Sequence, residues 1–226
     1  MNGNELSRAI RDCLGELTTY SDELGDLDQA LGDGDLGITV SLGAAAAIDA
    51  LEALPDGSTP AEVVLACAKA FANANPSTMA ALVAGALLAG SRVWGDSATV
   101  EGDQISRFAL AAAESISSRG KSQVGDKTIL DALFPAAEAL RDASLDGGSD
   151  DATKAKALDS AIAAAEAGVV ASKALQSRRG RASWLQERSI GLQDPGATMF
   201  LRFLESWKAT NTPSASSVST NGEATR

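Results

Sequence analysis

The chain contains no histidine in its 226 residues. Without histidine it cannot build a Ser-His catalytic triad, a His-ligated zinc centre or a histidine general base. Any chemistry in this chain must therefore use carboxylates, hydroxyls, backbone amides, lysine and arginine.

Aromatic residues are also scarce, at 4% of the chain, although hydrophobic residues of all kinds make up 45%. A core of alanine, leucine, valine and isoleucine with few rings favours closely packed helices over a β-sandwich. The two cysteines, Cys13 and Cys67, lie inside apolar helical patterns. We therefore predict two buried thiols rather than a disulfide, consistent with a reducing cytoplasm.

Basic residues are fewer than acidic ones. The chain has 19 Lys and Arg and 30 Asp and Glu, which gives a formal net charge of −11. This balance argues against a nucleic-acid binder, which would present a basic face. No stretch approaches the roughly 18 apolar residues of a membrane span. The N-terminus has no basic start followed by an apolar run, so it does not resemble a signal peptide. We expect a cytoplasmic protein that binds neither nucleic acid nor membranes.

The apolar spacing is helical nearly everywhere, and no alternating strand pattern of useful length occurs. The spacing predicts an all-α domain over residues 1–208 with about eight helices. After residue 208 the sequence becomes polar and proline-containing, which predicts a disordered tail at 209–226. The predicted helices span 5–24, 38–54, 60–73, 78–94, 101–119, 128–145, 151–175 and 195–208.

The strongest local signal is an acidic, glycine-rich loop in which Asp33 and Asp35 flank Gly34. On a helix these two carboxylates would point apart, but a glycine in a loop lets both face one point. Asp28, at the end of the preceding helix, is placed to join them. Three carboxylates about 4 Å apart would repel by a few kcal/mol per pair at an effective dielectric near 20, and a cation would reverse that cost.

Oxygen ligands select hard cations such as Mg²⁺, Ca²⁺ or Mn²⁺. An EF-hand calcium loop is excluded because position 12 counted from Asp33 is Ala44, not glutamate. The loop leads directly into a helix near Ile38, whose first amides and dipole attract anions. We therefore expect metal and phosphate together. The alternative, a solvated Asp-Gly turn, stays open on these residues alone.

Three segments together resemble the dihydroxyacetone kinase L-subunit family, which is also the C-terminal domain of single-chain ATP-dependent kinases. They are LDQALGDGDLG at 27–37, GDKTILD at 125–131 and GRASWLQERSIGLQDPGA at 180–197. The last segment is long and specific, and the resemblance covers roughly residues 5–208.

The resemblance implies a single-domain barrel of eight antiparallel helices with ADP or ATP bound in the loops at one end. It implies two Mg²⁺ ions held by residues matching Asp28, Asp33 and Asp35. It also implies nucleotide contacts at the helix start after the aspartates, in a hydroxyl-bearing phosphate loop, beside the adenine and in a closing segment. The matching residues are Gly37, Ile38, Thr39, Ser77, Thr78, Gly120, Ile129, Arg181, Asp194, Pro195 and Gly196.

Two departures from the family pattern concern the phosphates. The family often has histidine where this chain has Leu36, and its phosphate loop has a Gly-x-Ser-Gly character where residues 74–79 read ANPSTM. The geometry of the phosphate loop and the sugar accepted therefore stay open.

The implied function is that of the ADP- or ATP-binding, magnesium-binding subunit of a kinase that phosphorylates a small ketose such as dihydroxyacetone. In the family a separate DhaK-type subunit holds the ketose covalently on a histidine, which this chain cannot supply. The phosphate source is either ATP exchange or bound ADP rephosphorylated by a phosphotransferase-system protein. Alternatives are a kinase for another short ketose such as erythrulose, a nucleotide-sensing regulatory protein and a purely structural bundle.

The sequence also suggests roles for individual residues of the second and third segments. Asp126 is placed to cap the helix that carries Thr128, and Asp131 suits a structural or helix-end role. Lys127 either touches the nucleotide or lies in solvent. We expect Trp184 to be packed as part of a lid rather than to stack on the base.

Overall fold

A computed structural model describes residues 1–145 and 150–212, and within these ranges the protein contains helices but no β-strand. An isolated bridge joins Asn2 and Thr99. Two short 3-10 segments lie at Thr18–Tyr20 and Arg181–Ser189. The α-helices are α1 (Gly3–Leu17), α2 (Ser21–Leu31), α3 (Leu36–Glu52), α4 (Pro60–Ala74), α5 (Thr78–Trp94), α6 (Gly102–Gly120), α7 (Leu130–Leu145), α8 (Asp151–Ser172) and α9 (Pro195–Asn211).

The helices form a closed ring of eight rods, which confirms the all-α prediction. Each helix from α3 to α8 packs on the next, and α9 packs back on α1 and α2. The helices α1 and α2 form one rod because the 3-10 turn between them keeps Thr18 and Ser21 in right-handed helical conformations. Most connections are short, so neighbouring rods run antiparallel.

The antiparallel order gathers four connections at one end of the ring. These are residues 32–35, 75–77, 121–129 and 173–194. The opposite end carries the connections at 53–59 and 95–101 together with the N-terminus, whose ammonium donates to the carbonyl of Val100. All of the loop segments singled out from the sequence therefore lie at the same end.

The predicted first helix, 5–24, ended too early, since α2 continues to Leu31. Gly25 and the acidic residues around it resemble a loop by composition. In the fold, Gly37 at the start of α3 packs against the Ser21 carbonyl and the backbone of Gly25. This close packing between helices outweighs the low helix propensity of glycine.

Two predicted helix starts are confirmed by their capping hydrogen bonds. Thr59 precedes Pro60. Its hydroxyl accepts from the Glu62 N–H, and its own N–H donates to the Glu62 carboxylate, which completes a capping box. Asp194 likewise precedes a proline, Pro195, and its carboxylate accepts from the Ala197 N–H at 2.7 Å. Both prolines occupy the first helical turn, where a missing N–H costs nothing.

At its other end α9 continues to Asn211, three residues beyond the predicted end at residue 208. Residues 213–226 of the predicted tail lie outside the described residues.

The core is built largely from small side chains. Where α7, α8 and α9 meet, Ala132, Ala136, Ala161, Ala165 and Ala197 are all fully buried. Small side chains let helix backbones approach closely, which narrows the ring and brings the loops at its end together.

Both cysteines are buried free thiols, as predicted. Burial raises the pKa of Cys13 and of Cys67 to about 12, so neither thiol is reactive at neutral pH. In residues 1–145 and 150–212 we find no helix with the length and apolar character needed to cross a bilayer.

Gly168 marks a close approach of α8 to α7. A Cβ atom at this position would overlap the carbonyl oxygen of Asp131. We expect Gly168→Ala to lower the free energy of unfolding by about 1–3 kcal/mol, because α8 must move away from the start of α7. Urea denaturation followed by circular dichroism measures the change.

Gly15→Ala is the matched control, since Gly15 lies in the interior of α1 and a Cβ there meets nothing within 4 Å. This substitution should raise the free energy of unfolding by about 0.5–1 kcal/mol through helix propensity alone. Equal effects of the two substitutions would contradict the close packing of α8 on α7.

Candidate metal and nucleotide site

Asp28, Asp33 and Asp35 converge at the turn between α2 and α3. One carboxylate oxygen of each lies within 4.8 Å of those of the other two. Asp28 lies in the last turn of α2, which closes with a hydrogen bond from the Gly32 N–H to the Asp28 carbonyl. The turn brings together the three residues that the sequence singled out.

Two glycines make this turn possible. A Cβ at Gly32 would lie 2.7 Å from Oδ1 of Asp28, so any side chain there would displace that carboxylate. Gly34 has a φ of +76°, in the left-handed region that glycine adopts without strain. The glycines in the motif thus serve the convergence of the acidic side chains.

The acidic cluster attracts positive charge. The Arg181 guanidinium, which comes from the 3-10 segment at Arg181–Ser189, forms an ion pair with Asp33. Asp28 is half-buried, whereas Asp33 and Asp35 are exposed and open to a ligand. An all-oxygen set of this size, with room for further ligands, suits Mg²⁺, Ca²⁺ or Mn²⁺ rather than zinc or copper.

The start of α3 presents free amides beside the acidic cluster. The Leu36 N–H donates to Oδ2 of Asp28 at 3.3 Å, and the Thr39 N–H donates to the Asp35 carbonyl at 2.9 Å. The N–H groups of Gly37 and Ile38 therefore precede the hydrogen-bonded turns of the helix and point toward its N-terminal end. They are the two donors of α3 available to an anion.

Thr39, by contrast, lies inside the protein. Its side chain is buried, and its hydroxyl accepts a hydrogen bond from Nδ2 of Asn75 at 2.9 Å. Asn75 is a residue that the sequence reasoning missed. It precedes Pro76 in the loop that departs from the family pattern, and its amide ties that loop to α3.

Ser77 and Thr78 open α5 next to this tie. Oγ of Ser77 caps the helix by accepting from the Ala80 N–H at 3.1 Å, while Thr78 is exposed. The Ser77 hydroxyl keeps its proton to donate elsewhere. The loop lacks the glycines of the family pattern but still presents two hydroxyls at the acidic end.

Leu36, the other departure from the family pattern, turns inward. It is buried in an apolar cluster with Leu24, Val40 and Met199. Met79, next to Thr78, and Ile129 pack on the same cluster. One apolar cluster thus lies beneath the acidic turn, the phosphate loop and Ile129.

Gly120, Ile129 and Gly196 converge on a second apolar patch. A Cβ at Gly120 would contact Leu82 at 3.8 Å, and Leu82 and Ile129 pack on the same core cluster. A Cβ at Gly196 would lie 3.5 Å from Cβ of Ile129. The structure therefore brings three of the predicted adenine and pocket residues close together, at the same end as the aspartates.

Asp194 and Pro195 have a structural role at the start of α9. Both are buried, and the Asp194 carboxylate is engaged with the Ala197 N–H. Burial raises the pKa of Asp194 to about 6, and the nearby charge of Asp131 adds to the increase. The hydrogen bond from Ala197 and the charge of Lys127 oppose it.

Of the roles expected in the second motif, that of Asp126 was wrong and the structural role of Asp131 is confirmed. Asp126 does not cap a helix; its buried carboxylate accepts from the Gln123 N–H and from Nε of Arg179 at 3.1 Å. Asp131 supplies the local bonds instead, accepting from the Gly125 and Thr128 N–H groups. The sequence identified the motif, but it did not show that Asp131, rather than Asp126, accepts from the N–H groups within the motif.

Lys127 and Trp184 also differ from expectation. Lys127 is 2% exposed, so it does not lie in solvent, and its ammonium donates to the carbonyls of Leu175 and Ser189. Trp184 is 78% exposed rather than packed as a lid residue. Both outcomes depend on the path of the connection between α8 and α9, which the sequence pattern does not specify.

Comparisons with known proteins agree with this fold. A family described as the DAK2 domain matches residues 30–209. The ADP-binding subunit DhaL of the PEP-dependent dihydroxyacetone kinase of Escherichia coli (strain K12) is 31% identical over 192 residues, covering 83% of this chain and 87% of that protein. The L-erythrulose 1-kinase of Mycolicibacterium smegmatis is 33% identical over 184 residues, which are 81% of this chain and 31% of that protein.

Among solved structures, the dihydroxyacetone kinase from C. freundii in complex with AMP-PNP and Mg²⁺ has the same fold. Its TM-score is 0.68 at 20% sequence identity, covering 91% of this chain and 34% of that one. Fold and family match together define this protein as a member of the DAK2 domain family. Within that family it is of the DhaL type, since its similarity to a DhaL subunit runs along most of both chains.

The buried Asp194 carboxylate makes stability depend on pH. Its folded-state pKa of about 6 lies above its ordinary value of 3.8, so the folded chain binds the proton more tightly than the unfolded chain. The resulting stability is fully present below pH 3.8 and is lost as pH rises through about 6, by up to about 3 kcal/mol.

Asp194→Asn keeps an acceptor for the Ala197 N–H but removes the charge. Relative to wild type, this variant should therefore gain stability as pH rises from 4 to 7. Urea denaturation of both proteins at several pH values in that range checks the trend. A stability difference that is constant with pH would contradict a buried charge at Asp194.

Proposed function

We propose that this chain is the ADP- or ATP-binding, magnesium-binding subunit of a dihydroxyacetone-type kinase. The observation that carries the proposal is the convergence of Asp28, Asp33 and Asp35 directly in front of the free amides of α3. Carboxylates that hold divalent cations beside a helix N-terminus suit a polyphosphate tail. The E. coli relative, an ADP-binding subunit by name, supports the same ligand.

The residues present fit magnesium. Asp28, Asp33 and Asp35 would hold two Mg²⁺ ions, and bound magnesium supplies charge neutralisation for the phosphate oxygens. The Gly37 and Ile38 amides donate to phosphate, with the Ser77 and Thr78 hydroxyls beside them. Gly120 and Ile129 flank the adenine, while the segment from Asp194 to Gly196 and Arg181 closes the pocket.

The acceptor is a small ketose held by a DhaK-type partner subunit. A ketose hydroxyl oxygen attacks the terminal phosphorus, the bond from that phosphorus to the ADP oxygen breaks, and the hydroxyl proton is released to solvent. This chain has no histidine to hold the ketose, so catalysis requires the partner docked at the loop end. The chain itself contributes positioning and electrostatic stabilisation, which carry most of the rate in phosphoryl transfer.

For the phosphate source we propose exchange of ATP for ADP in each turnover, rather than rephosphorylation of retained ADP by a phosphotransferase-system protein. The loop at 74–79 supports exchange because it lacks the glycines of the family pattern and because Pro76 has no backbone N–H to offer a phosphate. With fewer backbone amides free to wrap the phosphates, the nucleotide should leave faster. Protein that still carries ADP after purification would contradict exchange.

Asparagine substitutions test the metal site. Asp28→Asn, Asp33→Asn and Asp35→Asn should each weaken magnesium-dependent ADP binding by about tenfold or more, equivalent to roughly 1.4 kcal/mol, since each removes an anionic ligand. Isothermal titration with ADP, with and without Mg²⁺, gives the affinities. The matched control is Asp26→Asn, an exposed carboxylate on α2 outside the cluster.

Affinity lost equally in the control and in the three cluster variants would show a general charge effect. No loss in any variant would remove the metal site from the proposal. Either result would leave the fold and the family membership untouched.

The ketose is decided by reconstitution. The purified chain, mixed with a DhaK-type subunit, ATP and Mg²⁺, should phosphorylate dihydroxyacetone. Erythrulose belongs in the same panel because an L-erythrulose 1-kinase is 33% identical to this chain. Faster turnover of erythrulose would reassign the substrate. Tight nucleotide binding with no transfer to any ketose would favour the nucleotide-sensing alternative.

A further inference from the structure

The connection between α8 and α9, residues 173–194, is a long loop closed at its neck; we call it the arginine loop because it carries Arg178, Arg179 and Arg181. Hydrogen bonds join its two ends, and we call this joined region, residues 172–177 with 189–194, the neck. The Asp194 N–H donates to Oγ of Ser172 at 2.9 Å, and the Gly191 N–H donates to the Lys173 carbonyl at 2.7 Å. The neck is therefore defined by pairing between the chain leaving α8 and the chain entering α9.

Lys127 holds this neck from outside the loop. Its ammonium donates to the carbonyl of Leu175, on one side of the neck, at 3.1 Å, and to that of Ser189 on the other side. Next to it, the Ser177 N–H donates to Oγ of Ser189 at 2.9 Å. Lys127 thus joins both sides of the loop to the connection between α6 and α7.

Asp126 provides a second attachment toward the tip. Its carbonyl accepts from the Arg178 N–H at 3.0 Å, and its carboxylate accepts from Nε of Arg179 at 3.1 Å. Two residues further along, Arg181 reaches the acidic cluster and pairs with Asp33. The path from the clamp at Lys127 and Asp126 to the arginine at the metal site is therefore short.

Burying the Lys127 ammonium carries a desolvation cost in free energy. Lys127 is 2% exposed, and burial lowers its pKa despite the nearby charge of Asp194. A methionine of similar length would pack without that desolvation cost. What the ammonium adds is several directional donors, and two of them fix two carbonyls at defined distances.

We propose that Lys127 is a positioning residue: its ammonium clamps the neck of the arginine loop and thereby holds Arg181 over the phosphate site formed at Asp28, Asp33 and Asp35. This inference rests on the proposed function for the phosphate role of Arg181. The clamp itself does not depend on that function, because it is argued from the hydrogen bonds of Lys127 and of the neck that Lys127 joins.

A double-mutant cycle tests the positioning role. Lys127→Met should weaken magnesium-ADP binding by about fivefold or more when Arg181 is present, and by less than about twofold in the Arg181→Ala background, because neighbouring residues that act together are not additive. Methionine retains the stem of the side chain at this positive-φ position. Isothermal titration of the wild type, both single variants and the double variant gives the coupling.

The matched control is Lys121→Met. Lys121 lies in the same connection between α6 and α7 and also has a positive φ, but it is exposed. The Lys121→Met variant should bind magnesium-ADP with the affinity of the wild type. Equal weakening by Lys127→Met in both Arg181 backgrounds would mark a purely structural defect and overturn the proposal, as would no weakening at all.

Limited proteolysis gives a readout that needs no nucleotide. Trypsin cleavage after Arg178 and Arg181, followed by mass spectrometry, should be about tenfold faster in Lys127→Met than in wild type or Lys121→Met, because an opened loop is cut more readily. An unchanged cleavage rate would overturn the clamp. Wild-type protein that binds no magnesium-ADP would instead overturn the proposed function and the phosphate role of Arg181, with the clamp still judged by proteolysis.

Should Lys127→Met not fold, as judged by circular dichroism, Ser189→Ala serves in its place. This change removes the hydroxyl that accepts from the Ser177 N–H at the same neck but leaves the ammonium. It should show the same dependence on Arg181 and the same faster cleavage. Cleavage and binding both equal to wild type would overturn the role of the neck.

Discussion

The mutual repulsion of three carboxylates at the turn between α2 and α3 is the constraint on which the loop end of this protein depends. Asp28, Asp33 and Asp35 have oxygens within 4.8 Å of one another, an arrangement that requires nearby positive charge. Arg181 supplies some of it through Asp33, and the first amides of α3 add a partial positive charge. A divalent cation with a polyphosphate would satisfy the same need more fully, and this is the physical basis of the proposed function.

The packing of the helix ring, although remote from the three aspartates, brings together the connections that surround them. Fully buried alanines between α7, α8 and α9 and the glycine at position 168 keep the helices close. Closely packed antiparallel rods bring four connections to one end, although these connections are far apart in the sequence. The arginine loop, the longest of them, then needs its own anchors, which Asp126 and Lys127 provide.

The departures from the family pattern become intelligible in the fold. Leu36, in place of a histidine, is buried beneath the acidic turn and contributes to the core there. Asn75, in a loop without glycine, bonds to Thr39 and so keeps the phosphate loop against α3. At these two positions the chain thus has residues that pack or anchor the loop end in place of the family's histidine and glycines.

The sequence by itself determined the helical class, the helix starts at Pro60 and Pro195 and the identity of the acidic cluster, because periodicity, proline in a first helical turn and a glycine-flanked turn are local properties. Only the tertiary structure decided that α2 continues past Gly25, that Asp126 faces Arg179 and that Lys127 is buried. Each of these depends on a partner distant in sequence, whether the start of α3 or the arginine loop. A local pattern contains no information about which distant carbonyl or guanidinium will lie beside it.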